Sequence, residues 1–171
     1  EYGTDGESRL ASYHSDEADH IAMWCLRRVI DPNGNITEYR YVGDSQTVLT
    51  DEKIAEGDPE FTYIGEPFVQ IYISQIVYTR HEEIEPAYQV DFERDCASRN
   101  DLIINARSGF KTITRCRLDR VDVHFLDPDL SEPQLIRVYK LEYGEGAVQK
   151  SILEKIQVLG ANGSEFYHHT F

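Results

Sequence analysis

Asp31, Asn33 and Asn35 alternate as the first three oxygen ligands of an EF-hand calcium loop do. The register then fails, because Gly34 occupies the fourth position and Val42 the twelfth, where a bidentate glutamate is required. The run Asp31-Pro32-Asn33-Gly34-Asn35 is better explained as a turn, since Asn-Gly supplies the positive φ angles of a tight hairpin. His168 and His169 are adjacent, so on a strand they face opposite sides and cannot share one ion. They read as a tail or a solvated strand end. His81-Glu82-Glu83 lacks the second histidine of a zinc-protease H-E-x-x-H helix and reads as a solvated loop. Acidic residues are abundant enough to form many pairs of the kind that hydrolyse glycosides, but that chemistry needs a defined spatial separation, which abundance does not provide. There is no G-x-S-x-G elbow, P-loop or dinucleotide fingerprint. The sequence therefore nominates no catalytic, cofactor-binding or metal-binding residue, and no cofactor.

The totals narrow the function classes further. A chain of 171 residues, 40% hydrophobic and 11% aromatic, can bury one substantial core, which makes residues 1–171 a single β-rich domain or a fragment of something larger. Acidic residues outnumber basic ones 31 to 17, so the surface repels phosphate backbones and anionic lipid head groups, and nucleic acid is not expected as a partner. Cys25, Cys96 and Cys116 form no C-x-x-C pair. Cys25 and Cys116 lie within apolar runs, and all three are expected to be free, buried thiols. No run reaches the ~20 apolar residues of a membrane span. A start at Glu1 without methionine suggests a piece of a longer protein.

The elements that would position these side chains are strands. Trp24 to Tyr41 reads as a hairpin around the Asp31–Asn35 turn. Residues 1–20, with the acidic patch Asp16, Glu17 and Asp19, read as an extended lead-in, and Gly43 to Pro67 as a long loop. In Val69 to Tyr78, Val69, Ile71 and Ile73 alternate before the phase slips to Ile76 and Tyr78, which predicts a bulge or bend. Ala87 to Phe92 is a short alternating run, and Glu93 to Ser108 reads as irregular. Phe110 to Phe125 is expected as one long, bent strand. Leu135 to Tyr143 places Leu135, Arg137, Tyr139, Leu141 and Tyr143 on one face. Ser151 to Leu159 reads as a turn followed by a strand, ending at the Asn162-Gly163 hairpin signal. The fold class is all-β, mainly antiparallel, either β-sandwich-like or a section of a β-sheet shell. Trp24, Ile71, Ile73, Tyr139 and Leu141 are expected in the core.

Several of these segments, in this order, carry a resemblance. The chain has Gly3 to Arg9 led by glycine, Trp24 with Leu26, the Asp31–Asn35 run, Tyr39-Arg40-Tyr41 and the Tyr72 to Thr79 strand. Next come Arg107-Ser108-Gly109-Phe110, Arg117-Leu118-Asp119-Arg120-Val121, the Arg137 to Tyr143 strand, Ser151-Ile152-Leu153 and Asn162-Gly163. In this series the chain resembles the Salmonella virulence plasmid B protein amino-terminal family, which includes the B components of insecticidal toxin complexes and grades into Rhs-type shell proteins. It lacks the repeated Tyr-Asp dipeptides of typical Rhs repeats.

The resemblance implies a non-catalytic structural module of a large exported bacterial protein, part of a β-sheet shell that encloses or presents a toxin. Its implied partners are other segments of the same protein and toxin-complex components, and its implied location is secreted or extracellular. The family's actin ADP-ribosylating activity resides in a separate domain that needs an arginine, a Ser-Thr-Ser strand and a Glu-x-Glu turn; Glu83-Ile84-Glu85 supplies only the last, so no enzymatic activity is expected here. The alternative is a β-sandwich module that binds glycan or a protein surface, for which 11 tyrosines and long loops would serve.

Overall fold

A computed structural model describes residues 1–12, 20–46, 68–81, 84–97 and 99–171. The acidic patch Asp16, Glu17 and Asp19, most of the expected 43–67 loop, and Glu82 with Glu83 lie outside the described residues. The strands in the amino-terminal half are β1 (Arg9–Ala11), β2 (Ile21–Trp24), β3 (Arg28–Ile30), β4 (Asn35–Gln46), β5 (Phe68–His81) and β6 (Tyr88–Asp95). They are followed by β7 (Ile103–Asn105), β8 (Thr112–Thr114), β9 (Arg117–Phe125), β10 (Gln134–Glu145), β11 (Ser151–Gly160) and β12 (Glu165–Thr170). Ten of them form one sheet whose main path runs β3-β4-β5-β6-β9-β10-β11-β12, every neighbouring pair antiparallel. The β7–β8 hairpin joins β5 through a parallel bridge between Val69 and Thr112, and β1 and β2 form a separate two-stranded sheet. The all-β, antiparallel expectation holds.

Local chemistry accounts for the turns and bends. The Asp31 carboxylate accepts hydrogen bonds from the N–H groups of Asn33 (2.8 Å) and Asn35 (2.9 Å), while Gly34 takes φ 85°, so the first hairpin turns where Asn-Gly required it. The second, at Asn162-Gly163, puts Gly163 at φ 78°. The phase slip in β5 is a bulge: Arg40 faces Gln75 and Tyr41 faces Ile73, which leaves Ser74 as the extra residue. A second slip lies between the Glu38–Val77 and Ile36–Arg80 pairs, where Thr79 adopts φ 69°.

The deepest packing is at the start of β5. Phe68 and Ile113 are fully buried, with Leu10, Phe110 and Cys116 nearly so. The amino-terminal 3₁₀ turn Gly6–Ser8 lies against β4, and β1 lies against β5. The lead-in is thus partly strand, not merely extended. β4 continues through Gly43 to Gln46, into the residues expected as loop. The expected irregular 93–108 segment contains the end of β6 and all of β7.

Two further expectations are overturned. The expected 110–125 strand is two strands, β8 and β9, because Arg115 leaves the ladder: its guanidinium binds both carboxylate oxygens of Asp44 (2.9 and 2.8 Å), and the N–H groups of Arg115 and Cys116 donate to the Tyr72 hydroxyl (3.2 and 3.3 Å). Cys96 and Cys116 form a disulfide rather than staying free. Their strands explain it: Asp95 and Arg117 are cross-strand partners in the β6–β9 ladder, and the two cysteines are the adjoining residues. Cys25 remains a free, half-buried thiol.

The expected core also shifts. Trp24 is 54% exposed. It lies on the small sheet and covers Gly3, where an added Cβ would collide with its ring. Ile71, Ile73, Tyr139 and Leu141 are half-buried, whereas Val77, Val138 and Val158 are buried.

Candidate functional site

The cross-strand register sorts the side chains of the main sheet onto two chemically different faces. On one face, the row Tyr39–Ile76–Val90–Val123 crosses four strands, and the row Phe92–Val121–Tyr139–Val158–Tyr167 crosses five. Tyr78, Tyr88 and Phe125 form a third row, with Tyr78 and Tyr88 stacked at 5.3 Å and Phe125 tilted against Tyr88 at 5.6 Å. Burial pushes the Tyr78 phenol up, and the neighbouring tyrosines Tyr88 and Tyr139 add to the shift. Of the side chains in these rows, only Val158 is buried; most of the rest are half-buried, so no second apolar layer of described residues closes over them.

The opposite face carries a polar ladder. Arg40 donates to Gln75 (2.7 Å), Gln75 to Asp91 (2.8 Å) and Gln89 to Asp91 (2.8 and 3.0 Å). His124 stands 3.1 Å from Asp91, and Arg120 donates to Asp122 (2.6 Å). The Asp91 and Asp122 carboxylates are both met by donors, while His124 Nδ1, though close to Asp91, makes no hydrogen bond to a described residue. Among the described residues, no three His, Cys, Asp or Glu side chains gather as metal ligands.

The sheet's two edges differ as well. Along β3, Glu1 covers the edge: its ammonium donates to Arg28 O (2.8 Å), and its carbonyl accepts from the N–H groups of Arg27 (2.9 Å) and Arg28 (3.3 Å). β12 is the terminal strand at the other edge, and every residue in it is exposed. The Phe171 N–H bonds back to Glu154 O (2.9 Å), so by antiparallel alternation His168 and Thr170 turn their backbone N–H and C=O groups outward. Such an edge is a template for another strand.

The disulfide loop is tied to the β10–β11 hairpin by Asp101, whose side chain is only 7% exposed. Arg99 binds it at 2.9 Å and the Ser151 hydroxyl donates to it at 2.7 Å. Burial opposes ionisation of this carboxyl, but the Arg99 and Ser151 hydrogen bonds outweigh that cost and hold it far below the usual carboxylate range. Arg117 completes the joint, donating to Ser151 (3.2 Å) and lying 4.6 Å over the Tyr143 ring.

Among the described residues, the side chains that raised chemical possibilities in the sequence do not converge. Asp31 and Asn35 bind each other (2.7 Å) inside their turn, and the His81 ring lies 3.0 Å from Asn33 O. His168 pairs with Glu165 at 2.6 Å, while His169 sits edge-on to Tyr167 at 5.4 Å. Ile84 and Glu85 are exposed at the end of the sheet. The Asp101 joint and the Asp44–Arg115 pair had no signal in the sequence, because their partners are separated by 50 and 71 residues.

Residues 1–118 match the family model described as Salmonella virulence plasmid 65kDa B protein. Among solved structures, the chain is similar to the amino-terminal domain of the effector SpvB from Salmonella typhimurium strain LT2, at 17% identity and a TM-score of 0.71, over 93% of this chain and 57% of that one. It is also similar to a chain in the crystal structure of TcdB2-TccC3-Cdc42 and to one in the Photorhabdus luminescens Tc holotoxin pore, each at 17% identity and a TM-score of 0.65. Those matches cover 96% of this chain but only 9% of the relatives' length. No match is found among curated proteins.

Proposed function

Because the chain belongs to the Salmonella virulence plasmid 65kDa B protein family, we propose that it is a non-catalytic assembly module of a larger exported toxin protein, a section of sheet whose open face and edge are completed by other segments of that protein or by toxin-complex components. The observation that carries this reading is the contrast between the faces: apolar and tyrosine-rich rows lie half-open on one side, while the carboxylates of the polar side are already engaged by donors within it. Half-open apolar rows forgo roughly 25 cal/mol for each Å² left wet, so a covering segment would gain from them. The similar structures support the same reading, since this chain spans a small part of the Tc chains.

No enzymatic role is proposed. The test compares the isolated chain with the full-length protein by amide hydrogen exchange and assays both for actin ADP-ribosylation and for hydrolysis of glycosides and esters. The scaffold reading expects the outward amides of His168 and Thr170 to exchange freely in the isolated chain, to become protected in the full-length protein, and turnover by the isolated chain to stay at background. Turnover by the isolated chain that disappears on a single Asp or Glu substitution would overturn it. The rival reading, a glycan-binding module, expects saturable oligosaccharide binding to the isolated chain and no added protection of β12.

A further inference from the structure

At one end of the sheet, the segment leading into β6 and the segment leaving β9 enclose a groove of about 520 Å³, lined by Ile84, Pro86, Ala87, Phe125, Leu126 and Pro128. We propose that this groove docks a polypeptide segment presenting a bulky apolar side chain flanked by lysine or arginine. The groove adjoins the open sheet face at Phe125, which belongs to both, but the inference does not rest on the scaffold reading.

The groove's base is built. The Leu126 N–H donates to Ala87 O (2.8 Å), extending the β6–β9 ladder beyond its last strand pair. Phe125 is braced by Tyr88, which is stacked in turn on Tyr78. The volume falls within the roughly 300–1,000 Å³ range of pockets that accept small ligands and side chains. Ile84 (65% exposed) stands at its mouth, and Leu130 (51%) is exposed on the adjoining turn.

Charge selects the occupant. Glu85 and Asp127 also line the groove, and Asp129 and Glu132 follow in the same turn region. The Glu85 side chain is 80% exposed and pairs with Arg80 at 3.8 Å. An apolar floor under an acidic rim attracts an apolar side chain with basic neighbours and repels anionic lipid or nucleic acid. The other lining side chains offer no hydrogen-bonding group, which disfavours a sugar. Pro86 and Pro128 have no N–H to donate, so the mode is side-chain insertion rather than strand addition.

The probes are three fluorescently labelled peptides, with the cores Lys-Phe-Leu-Lys, Glu-Phe-Leu-Glu and Lys-Gly-Gly-Lys, titrated against the purified chain by anisotropy. The first should bind saturably, and the other two at least roughly tenfold more weakly. Glu85→Lys and Ile84→Ser alter exposed side chains, so melting should be unchanged while affinity for the first peptide falls by a similar factor. Added salt should weaken the wild-type complex. Absence of saturable binding, equal binding of the lysine and glutamate peptides, binding indifferent to both variants, or displacement of the peptide by soluble oligosaccharides would each overturn the proposal.

Discussion

The start of β5 and the β10–β12 wing are built from similar residues, yet the first gathers its fully buried side chains into one cluster, whereas the wing buries Val138 and Val158 separately, on opposite faces. At the start of β5, Phe68 and Ile113 lose all contact with water, under cover from β1, the Gly6–Ser8 turn and the β7–β8 hairpin. In the wing, Ile136, Ile152, Phe166 and Tyr167 remain between 43% and 62% exposed. At the first region β1 and the Gly6–Ser8 turn pack against β5 and β4, whereas the described strands of the wing meet chiefly one another and β9. Strand sequence alone therefore does not settle burial; what lies across the face decides it. The comparison implies that stability is concentrated at the disulfide side of the molecule, with the wing held mainly by its ladder.

The largest expected effect tests that concentration directly. Phe68→Ala should cost about 3–5 kcal/mol in chemical denaturation, since it removes a fully buried ring from a site closed on all sides. That is a large share of the stability of an ordinary domain. A loss below about 1 kcal/mol would mean that the interior at β5 does not dominate the fold.

Opening the disulfide should come next. It closes a loop across a sequence separation of 20 residues, for which chain-entropy reasoning gives about 3 kcal/mol. The loop carries β7 and β8, and β8 holds β5 through the Val69–Thr112 bridge. Cys96→Ser should therefore raise hydrogen exchange in residues 99–116 and at Phe68, while the β10–β11 ladder changes little. Equal loosening of both regions would erase the distinction between them.

Much of this architecture was legible locally. The Asp31–Asn35 turn, the Asn162-Gly163 turn and the β5 bulge follow from residue types within a few positions of one another. Core membership was not. Trp24 is the chain's one tryptophan and lies in a strand, but among the described residues its strand pairs with β1 in the small sheet, so it shields Gly3 at the surface instead of entering the main sheet. The period of two placed Arg137, Tyr139, Leu141 and Tyr143 on one face of β10, but a bulge at Ile136 pairs Leu135 with His124 on the other, and the buried residue of the strand is Val138, also on that other face. The Cys96–Cys116 bond depended on β6–β9 register, and the apolar and polar faces emerged only once all the strand pairs were aligned. No short motif encodes those alignments.

The smallest expected effect lies on β12. Tyr167 is 49% exposed, ends the row Phe92–Val121–Tyr139–Val158–Tyr167, and touches His169 edge-on. Tyr167→Thr keeps a residue suited to a strand and leaves the backbone ladder intact, so only the ring's partial burial is lost. The isolated chain should lose no more than about 0.5 kcal/mol, as for an ordinary surface substitution. The same substitution in the full-length protein separates two origins of the exposed row. If another segment covers it, the ring becomes interior there, and the cost should rise towards that of a buried aromatic, about 3 kcal/mol or more. If the wing remains open in the full-length protein, the two measurements should agree, and the contrast between closed core and open wing would be a permanent property of the fold rather than a mark of an interface awaiting its partner.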